Sequence, residues 1–150
     1  MPTKLYIAAD HAGFELKEFL KKSAAKLNVE FTDLGTHAKD SVHYPDFAQR
    51  VAKTLLAEKT SAQLLEASAI LICGSGVGIS IAANRFKKIR AVNAMTAEQA
   101  RLSRQHNASN ILALGARLIS EELALEITHE WLNAQFEGGR HQSRLEMMDQ

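Results

Sequence analysis

The chain has little of several things that would settle its class at once. Cys73 is the only cysteine in 150 residues, so no intrachain disulfide can staple the fold and a reducing compartment is expected. There are two prolines and no apolar run of the roughly 18 residues a bilayer demands, which leaves no Pro-rich linker and no membrane partner to expect. The start MPTKLYIAAD has neither the charged n-region nor the apolar h-region of a signal peptide, and a cytoplasmic protein is expected. Charge of one sign is missing as well. The 18 basic and 17 acidic side chains nearly cancel, without the basic footprint of a nucleic-acid binder. What remains is a small-molecule partner. A chain of this length holds one core and one principal site, so residues 1–150 are expected to form a single domain.

What is present is alternation. Short apolar runs at Lys4–Ala9, Val29–Asp33, Ala69–Cys73, Arg90–Ala94 and Asn110–Leu114 are separated by amphipathic stretches, the pattern of parallel strands joined by helices. The expected fold class is α/β: a five-stranded, mainly parallel sheet in a three-layer α/β/α arrangement. Leu16, Leu20, Ala24 and Leu27 recur at helical spacing and predict one amphipathic helix between the first two runs. Phe47, Val51 and Leu55 predict another after Pro45, and Leu123, Ile127 and Trp131 one after Ser120. Thr96 with Gln99 forms a capping box opening a helix that ends near Asn107. Ser61 to Ala67 reads as a short extra helical turn without a chemical role.

The stretch from Ala69 to Ser80, AILICGSGVGIS, runs a buried strand into three glycines and an apolar helical start. Gly74, Gly76 and Gly78 let backbone N–H groups converge without obstruction, and a helix starting there adds partial positive charge, so the loop can hold a phosphate or an oxyanion. The spacing misses the dinucleotide fingerprint at Ile79 and lacks the Gly-Lys-Ser/Thr of a phosphate-binding Walker loop. Cys73 precedes this loop, where the N–H groups favour a thiolate able to act as base or nucleophile. Asp10 and His11 end the first strand. Ligands of doubly wound sheets bind outside the carboxyl ends of strands, so Asp10, His11, Cys73 and Ser75 can face one crevice. Helix capping is the competing role for Asp10. His106, beside Asn107, has an imidazole suited to acid–base work. Arg140 and Arg144 stand four apart, on one helical face, where an anion between them would relieve their repulsion.

Five motifs in order, Asp10–Phe14, His43–Phe47, Cys73–Ser80, Ser103–Asn107 and Glu137–Gln142, resemble those of ribose-5-phosphate isomerase type B, whose relatives act on galactose 6-phosphate and allose 6-phosphate. The resemblance spans nearly the whole chain. It implies a Rossmann-like fold, neither metal nor nucleotide cofactor, and a homodimer, or a tetramer of paired dimers, with active sites between subunits. It further implies interconversion of ribose 5-phosphate and ribulose 5-phosphate, within the pentose phosphate pathway, through a cis-enediolate. By position Cys73 is the implied base, Ser75 a hydroxyl relay and the N–H groups from Gly74 to Gly78, Gly76 and Val77 included, the oxyanion donors. His106 with Asp10 nearby opens the furanose ring, while Asn107 and Tyr44 contact the sugar. His11, Arg117, Arg140 and Arg144 grip the phosphate, arginine being suited by its bidentate fork. Ser75 stands where threonine is frequent, His43 and Ala108 where aspartates are common, and Ala94-Met95-Thr96 differs from the sugar-facing loop of the pattern. The competing functions are a hexose 6-phosphate isomerase and a non-catalytic sugar-phosphate or nucleotide-binding domain. A flavodoxin-like carrier, with Tyr44 as the stacking aromatic, fits less well.

Overall fold

The computed structural model describes residues 1–150. The five apolar runs form β1 (Thr3–Ala9), β2 (Val29–Asp33), β3 (Ala69–Cys73), β4 (Ala91–Asn93) and β5 (Ile111–Gly115). They pair in the order β2-β1-β3-β5-β4, every pair parallel. Parallel strands need covering on both faces, and period-two alternation does this. Ile70 and Ile72 of β3 pack with Leu5, Ile7, Leu112 and Leu114 against one helical layer, while Ala69, Leu71 and Cys73 join Ala8, Ile111 and Ala113 against the other.

The first layer contains α1 (Phe14–Lys22), α2 (Ala24–Leu27) and α6 (Glu121–Asn133), whose Leu16, Leu20, Leu27, Ala124, Ile127 and Trp131 reach that core beside Ala100 of α5 (Ala97–Asn107). The second layer contains α3 (Tyr44–Glu58) and α4 (Val77–Ala83); Phe47, Val51 and Leu55 of α3 meet Ile79 and Ala83 of α4 there. A last helix, α7 (Arg140–Met148), closes the chain. No helix is long and apolar enough to cross a membrane.

Two local expectations are corrected. The helix predicted over Leu16–Leu27 is interrupted at Ser23, whose hydroxyl donates to the Phe19 carbonyl at 3.0 Å; such a hydroxyl competes with the helical ladder for its acceptor. In the capping box Thr96 Oγ1 accepts the Gln99 N–H at 3.0 Å, but Gln99 Oε1 reaches one residue further back, to the Met95 N–H. The segment Ser61–Ala67 contains a 3₁₀ turn, Gln63–Leu65, and its carbonyls have a definite use. Leu64 O accepts from Arg90 and from Asn110 Nδ2, and Leu65 O from Arg104. Buried polar side chains call for partners, and the turn supplies acceptors to Arg90, Asn110 and Arg104 Nη1, while Arg104 Nε is left without one. Burial still pushes the Arg104 guanidinium down to about 10.

On the α1 face, Lys17 is fully buried and held by Asp33 at 2.5 Å and Glu18 at 3.2 Å, with Lys21 also on Asp33 at 2.8 Å. Burial pushes the Asp33 carboxyl up, but the Lys17 and Lys21 ammoniums and the Gly35 N–H outweigh it and hold it below the ordinary carboxylate range. A carboxyl so depressed stabilises the fold above its unfolded value near pH 4, and that contribution is lost as the pH falls through the folded value. Asp33→Ala is expected to cost about 3 kcal/mol at neutral pH, because Lys17 loses its nearest counter-charge. Denaturant melts of wild type and variant should converge as the pH is lowered below about 4; an unchanging gap would place the loss elsewhere.

Candidate active site

The strand order puts the topological switch between β1 and β3: from β1 the chain crosses to the outer strand β2, from β3 it crosses the other way, toward β4. The crevice at such a point lies outside the carboxyl ends. β1 and β3 are in register to Ala9 and Ile72, so Asp10 and Cys73 leave adjacent strands side by side. A cleft of about 480 Å³ opens there, lined by Asp10, His11, Ala12, Tyr44, Cys73, Gly74, Ser75, Val77, Gly78, Arg117 and Leu118.

Each polar group in this cleft is oriented by a neighbour. Cys73 is buried and its Sγ receives the Gly76 N–H at 3.2 Å, a donor that favours negative charge on the sulfur. Gly76 can make this turn because it sits at φ +77°, open to glycine at no steric cost. Ser75 Oγ accepts the Val77 N–H at 3.2 Å, which leaves its hydroxyl proton free to be donated. Gly74 and Ser75 N–H groups make no hydrogen bond within the chain. The oxyanion loop expected over Gly74–Gly78 is therefore divided: Gly76 serves the sulfur, Val77 serves Ser75, and Gly74 and Ser75 stay available. Asp10 is buried and Oδ1 caps the following 3₁₀ turn through the Gly13 N–H at 3.1 Å, so the capping role weighed against the site role is performed together with a place on the cleft wall.

His11 Nδ1 accepts the Val42 N–H at 3.1 Å. The ring proton is thereby assigned to Nε2, which becomes a donor. Arg117 follows β5, its N–H on Gly74 O at 2.9 Å and its guanidinium so close over Gly74 that a Cβ there would lie 3.1 Å from Nη1. Tyr44 opens α3 with its ring on Gly78, where a Cβ would meet Cζ at 2.6 Å.

The remaining expected site residues are elsewhere on the chain. α5 starts at the carboxyl edge, capped by Thr96, and runs back to the amino edge, where Ala108 at φ 46° ends it. His106 and Asn107 therefore lie at the far edge of the sheet. His106 is paired with the Glu137 carboxylate at 4.0 Å and stacked on His141, ring centroids 4.6 Å apart; it is not beside Asp10 of its own chain. Asn107 lines a second cleft, of about 490 Å³, with Arg85, Lys87, Lys88 and Arg90. Arg140 and Arg144 are exposed on α7, next to the His106 cluster. The sequence reading gave no role to Gly115, Leu118, Glu137 or His141; Glu137 and His141 stood inside a quoted motif, and for the other two nothing local signalled proximity to the cleft.

The Ribose/Galactose Isomerase family model matches residues 5–148. The chain is 45% identical over 143 residues to ribose-5-phosphate isomerase B of Escherichia coli (strain K12), covering 95% of this chain and 92% of that protein. Its structure superimposes on a ribose 5-phosphate isomerase from Thermotoga maritima with a TM-score of 0.89 at 44% identity, over 98% of this chain and 97% of the other. A ribose-5-phosphate isomerase B from Mycoplasma genitalium, solved with bound ribulose-5-phosphate, matches with a TM-score of 0.86 at 34% identity, over 99% and 95% of the two chains.

The backbone of the Cys73 loop runs against Gly115 so closely that a Cβ there would stand 2.4 Å from Ser75 O. Gly115→Ala is expected to displace the loop and cost about 1–3 kcal/mol of stability, as overpacking does. It should also slow alkylation of Cys73 by iodoacetamide, because the shifted loop no longer presents Gly76 N–H to the sulfur. Thermal melts and alkylation rates measure the two effects; an unchanged alkylation rate would separate Gly115 from the sulfur's environment.

Proposed function

The chain belongs to the ribose/galactose isomerase family and is an isomerase, and we propose that it interconverts ribose 5-phosphate and ribulose 5-phosphate with Cys73 as the base. The observation that carries this reading is the Gly76 N–H on Cys73 Sγ, at the floor of a cleft whose walls offer His11, Arg117 and the free N–H groups of Gly74 and Ser75.

The steps follow from what these groups can do. His106 protonates the ring oxygen as the C1–O4 bond breaks, and Asp10 takes the proton of the anomeric hydroxyl, leaving an aldehyde. Cys73 thiolate then removes the C2 proton, and the electron pair forms the C1=C2 bond with negative charge on O1. Gly74 and Ser75 N–H groups donate to that oxygen, the preorganised stabilisation that is usually the largest single contribution to such a step. The proton returns to C1, and Ser75 relays the O2 proton to O1, giving the ketose. His11 Nε2–H and the guanidiniums of Arg117, Arg140 and Arg144 hold the phosphate, with Asn107 and Tyr44 on the sugar.

Within one chain His106 and Cys73 occupy opposite edges of the sheet, so the reading requires a second copy. The homodimer sets His106, Asn107, Arg140 and Arg144 of one subunit over the Cys73 cleft of the other, twice by symmetry. Exposed apolar side chains support this: Val77 and Leu118, which line the cleft, are 48% and 54% exposed, and Ile81 of α4 is 54% exposed. Arg117, which lines the Cys73 cleft of its own chain, would not cross. The proposed setting is cytoplasmic, in the pentose phosphate pathway.

A direct assay of ribose 5-phosphate beside allose and galactose 6-phosphates tests the substrate; a higher kcat/KM on either hexose phosphate would overturn the pentose assignment. Cys73→Ala should lower turnover by about 10² or more with KM little changed, because it removes a base and not the phosphate grip. More than about a tenth of wild-type turnover would refute its role. Mixing Cys73→Ala with His106→Ala subunits leaves one intact site per mixed dimer, and random pairing makes about half the dimers mixed, so roughly a quarter of wild-type activity should return. No recovery despite confirmed subunit exchange would place both residues in one chain's site.

A further inference from the structure

Glu137 is not free to wander. Its N–H donates to Gln105 O at 3.0 Å, which ties the segment after α6 to the residue preceding His106. Gly138 and Gly139 then take φ +68° and +56°, and the chain turns at once into α7, with His141 N–H closing on Gly138 O at 3.0 Å. The result places Glu137 Oε1 4.0 Å from His106 Nε2 and 3.8 Å from His141 Nε2. The two rings stack, centroids 4.6 Å apart and planes 17° from parallel. The His141 side chain is 9% exposed and that of His106 41%, so a buried ring backs an open one.

Resting on the reading that His106 opens the sugar ring, we propose that Glu137 and His141 are positioning residues for that step: the carboxylate draws the His106 imidazole into line and the His141 ring fixes its plane. The three groups offer ligand atoms within 4.8 Å of one another, but near-parallel rings set their nitrogen lone pairs side by side where a metal needs them to converge. Arg140 and Arg144 lie alongside and oppose further positive charge. Burial first, then His106, Arg140 and Arg144, hold His141 below the ordinary histidine range, against the pull of Glu137. The protonated form of His141 is thus disfavoured where it stacks on His106, and Glu137 Oε1 stands within 4.0 Å of both rings.

Ring opening can be separated from proton transfer at carbon. Ribulose 5-phosphate has no furanose ring to open, so incorporation of deuterium at its C1 in D₂O needs Cys73 but not His106. Glu137→Gln should lower turnover of ribose 5-phosphate by about tenfold to a hundredfold, the cost of a misplaced catalytic group, while C1 exchange of ribulose 5-phosphate, followed by proton NMR, stays within about twofold. His141→Phe, which keeps a flat ring, should retain more turnover than His141→Ala, whose thermal midpoint reports whether the fold survives. Equal loss of turnover and exchange in Glu137→Gln, or loss of neither, overturns the proposal. Cys73→Ala is the control: if it keeps exchange, the assigned base is wrong, a different failure from this one.

Discussion

The site depends on how closely three turns crowd at the carboxyl edge of the sheet. β3 is central, so the loop leaving it is flanked by the chain leaving β1 and the chain leaving β5. A Cβ on Gly13 would stand 2.7 Å from Ile72 O, and one on Gly76 3.0 Å from the Gly115 N and 2.4 Å from Asn93 Oδ1. Side chains are excluded from these contacts, and backbone takes their place. Ala116 N–H reaches Cys73 O and Arg117 N–H reaches Gly74 O, both at 2.9 Å, so the β3 loop is strapped to β5 beyond the last strand residue. That strap consumes the carbonyls of Cys73 and Gly74, while the N–H groups of Gly74 and Ser75, two residues of the cleft lining, have no acceptor within the chain. A loop of preorganised donors follows from the crowding and needs no further element to hold it.

The opposite edge is built by other means. There the chain relies on long side chains reaching carbonyls: Arg104 to Leu65 O and Ser109 O, Asn110 Nδ2 to Leu64 O and Lys88 O, and Trp131 Nε1 to Ser109 Oγ. Ser103 and Ser109 hydroxyls share a bond at 2.8 Å. These contacts anchor the last turn of α5 to the start of β5. His106 and Asn107 project from a helix end held by these bonds, although Arg104 Nε itself is buried without a partner. An imidazole on a frayed helix end would have no fixed direction.

Much of this was legible in the sequence. The five strands fall on the apolar runs, and the inner strands β3 and β5 are buried at every residue, as parallel strands covered on both faces must be continuous in apolar character. α3 begins with Pro45 in its first turn and no side-chain cap, whereas α6 begins at the cap Ser120, whose Oγ accepts the Leu123 N–H. Cys73 ends β3, and Asp10, His11 and Ser75 stand just past the ends of β1 and β3, so a shared edge brings them to one cleft. What escaped was whatever depends on neighbours distant in sequence. Strand order is one case. The division of the glycine loop between Sγ and the cleft is another, since it requires the Gly76 φ. The 3₁₀ turn at Gln63–Leu65 lacked meaning without Arg90, Arg104 and Asn110 opposite its carbonyls. The expected closeness of His106 to Asp10 failed within the chain for a topological reason: a helix joining parallel strands must end at the edge where the next strand starts.

That last constraint also bears on why such a small domain would work as a pair. α5 has 11 residues, and a helix of that length spans about 16 Å, roughly the depth of the sheet it crosses. The parallel pairing of β4 and β5 fixes this direction of travel, so no change of side chain could bring His106 to its own Cys73. Moving either group onto the other edge would sacrifice something: the sulfur needs the glycine crowding, and the imidazole needs the Glu137 and His141 wall. Two copies facing each other by a two-fold axis keep both environments intact and make the two edges meet. The second subunit of the proposed dimer would also cover an open cleft, excluding water from the charged intermediate of the proposed reaction. In the proposed dimer, pairing would follow from the α/β connection rule as much as from any attraction between surfaces.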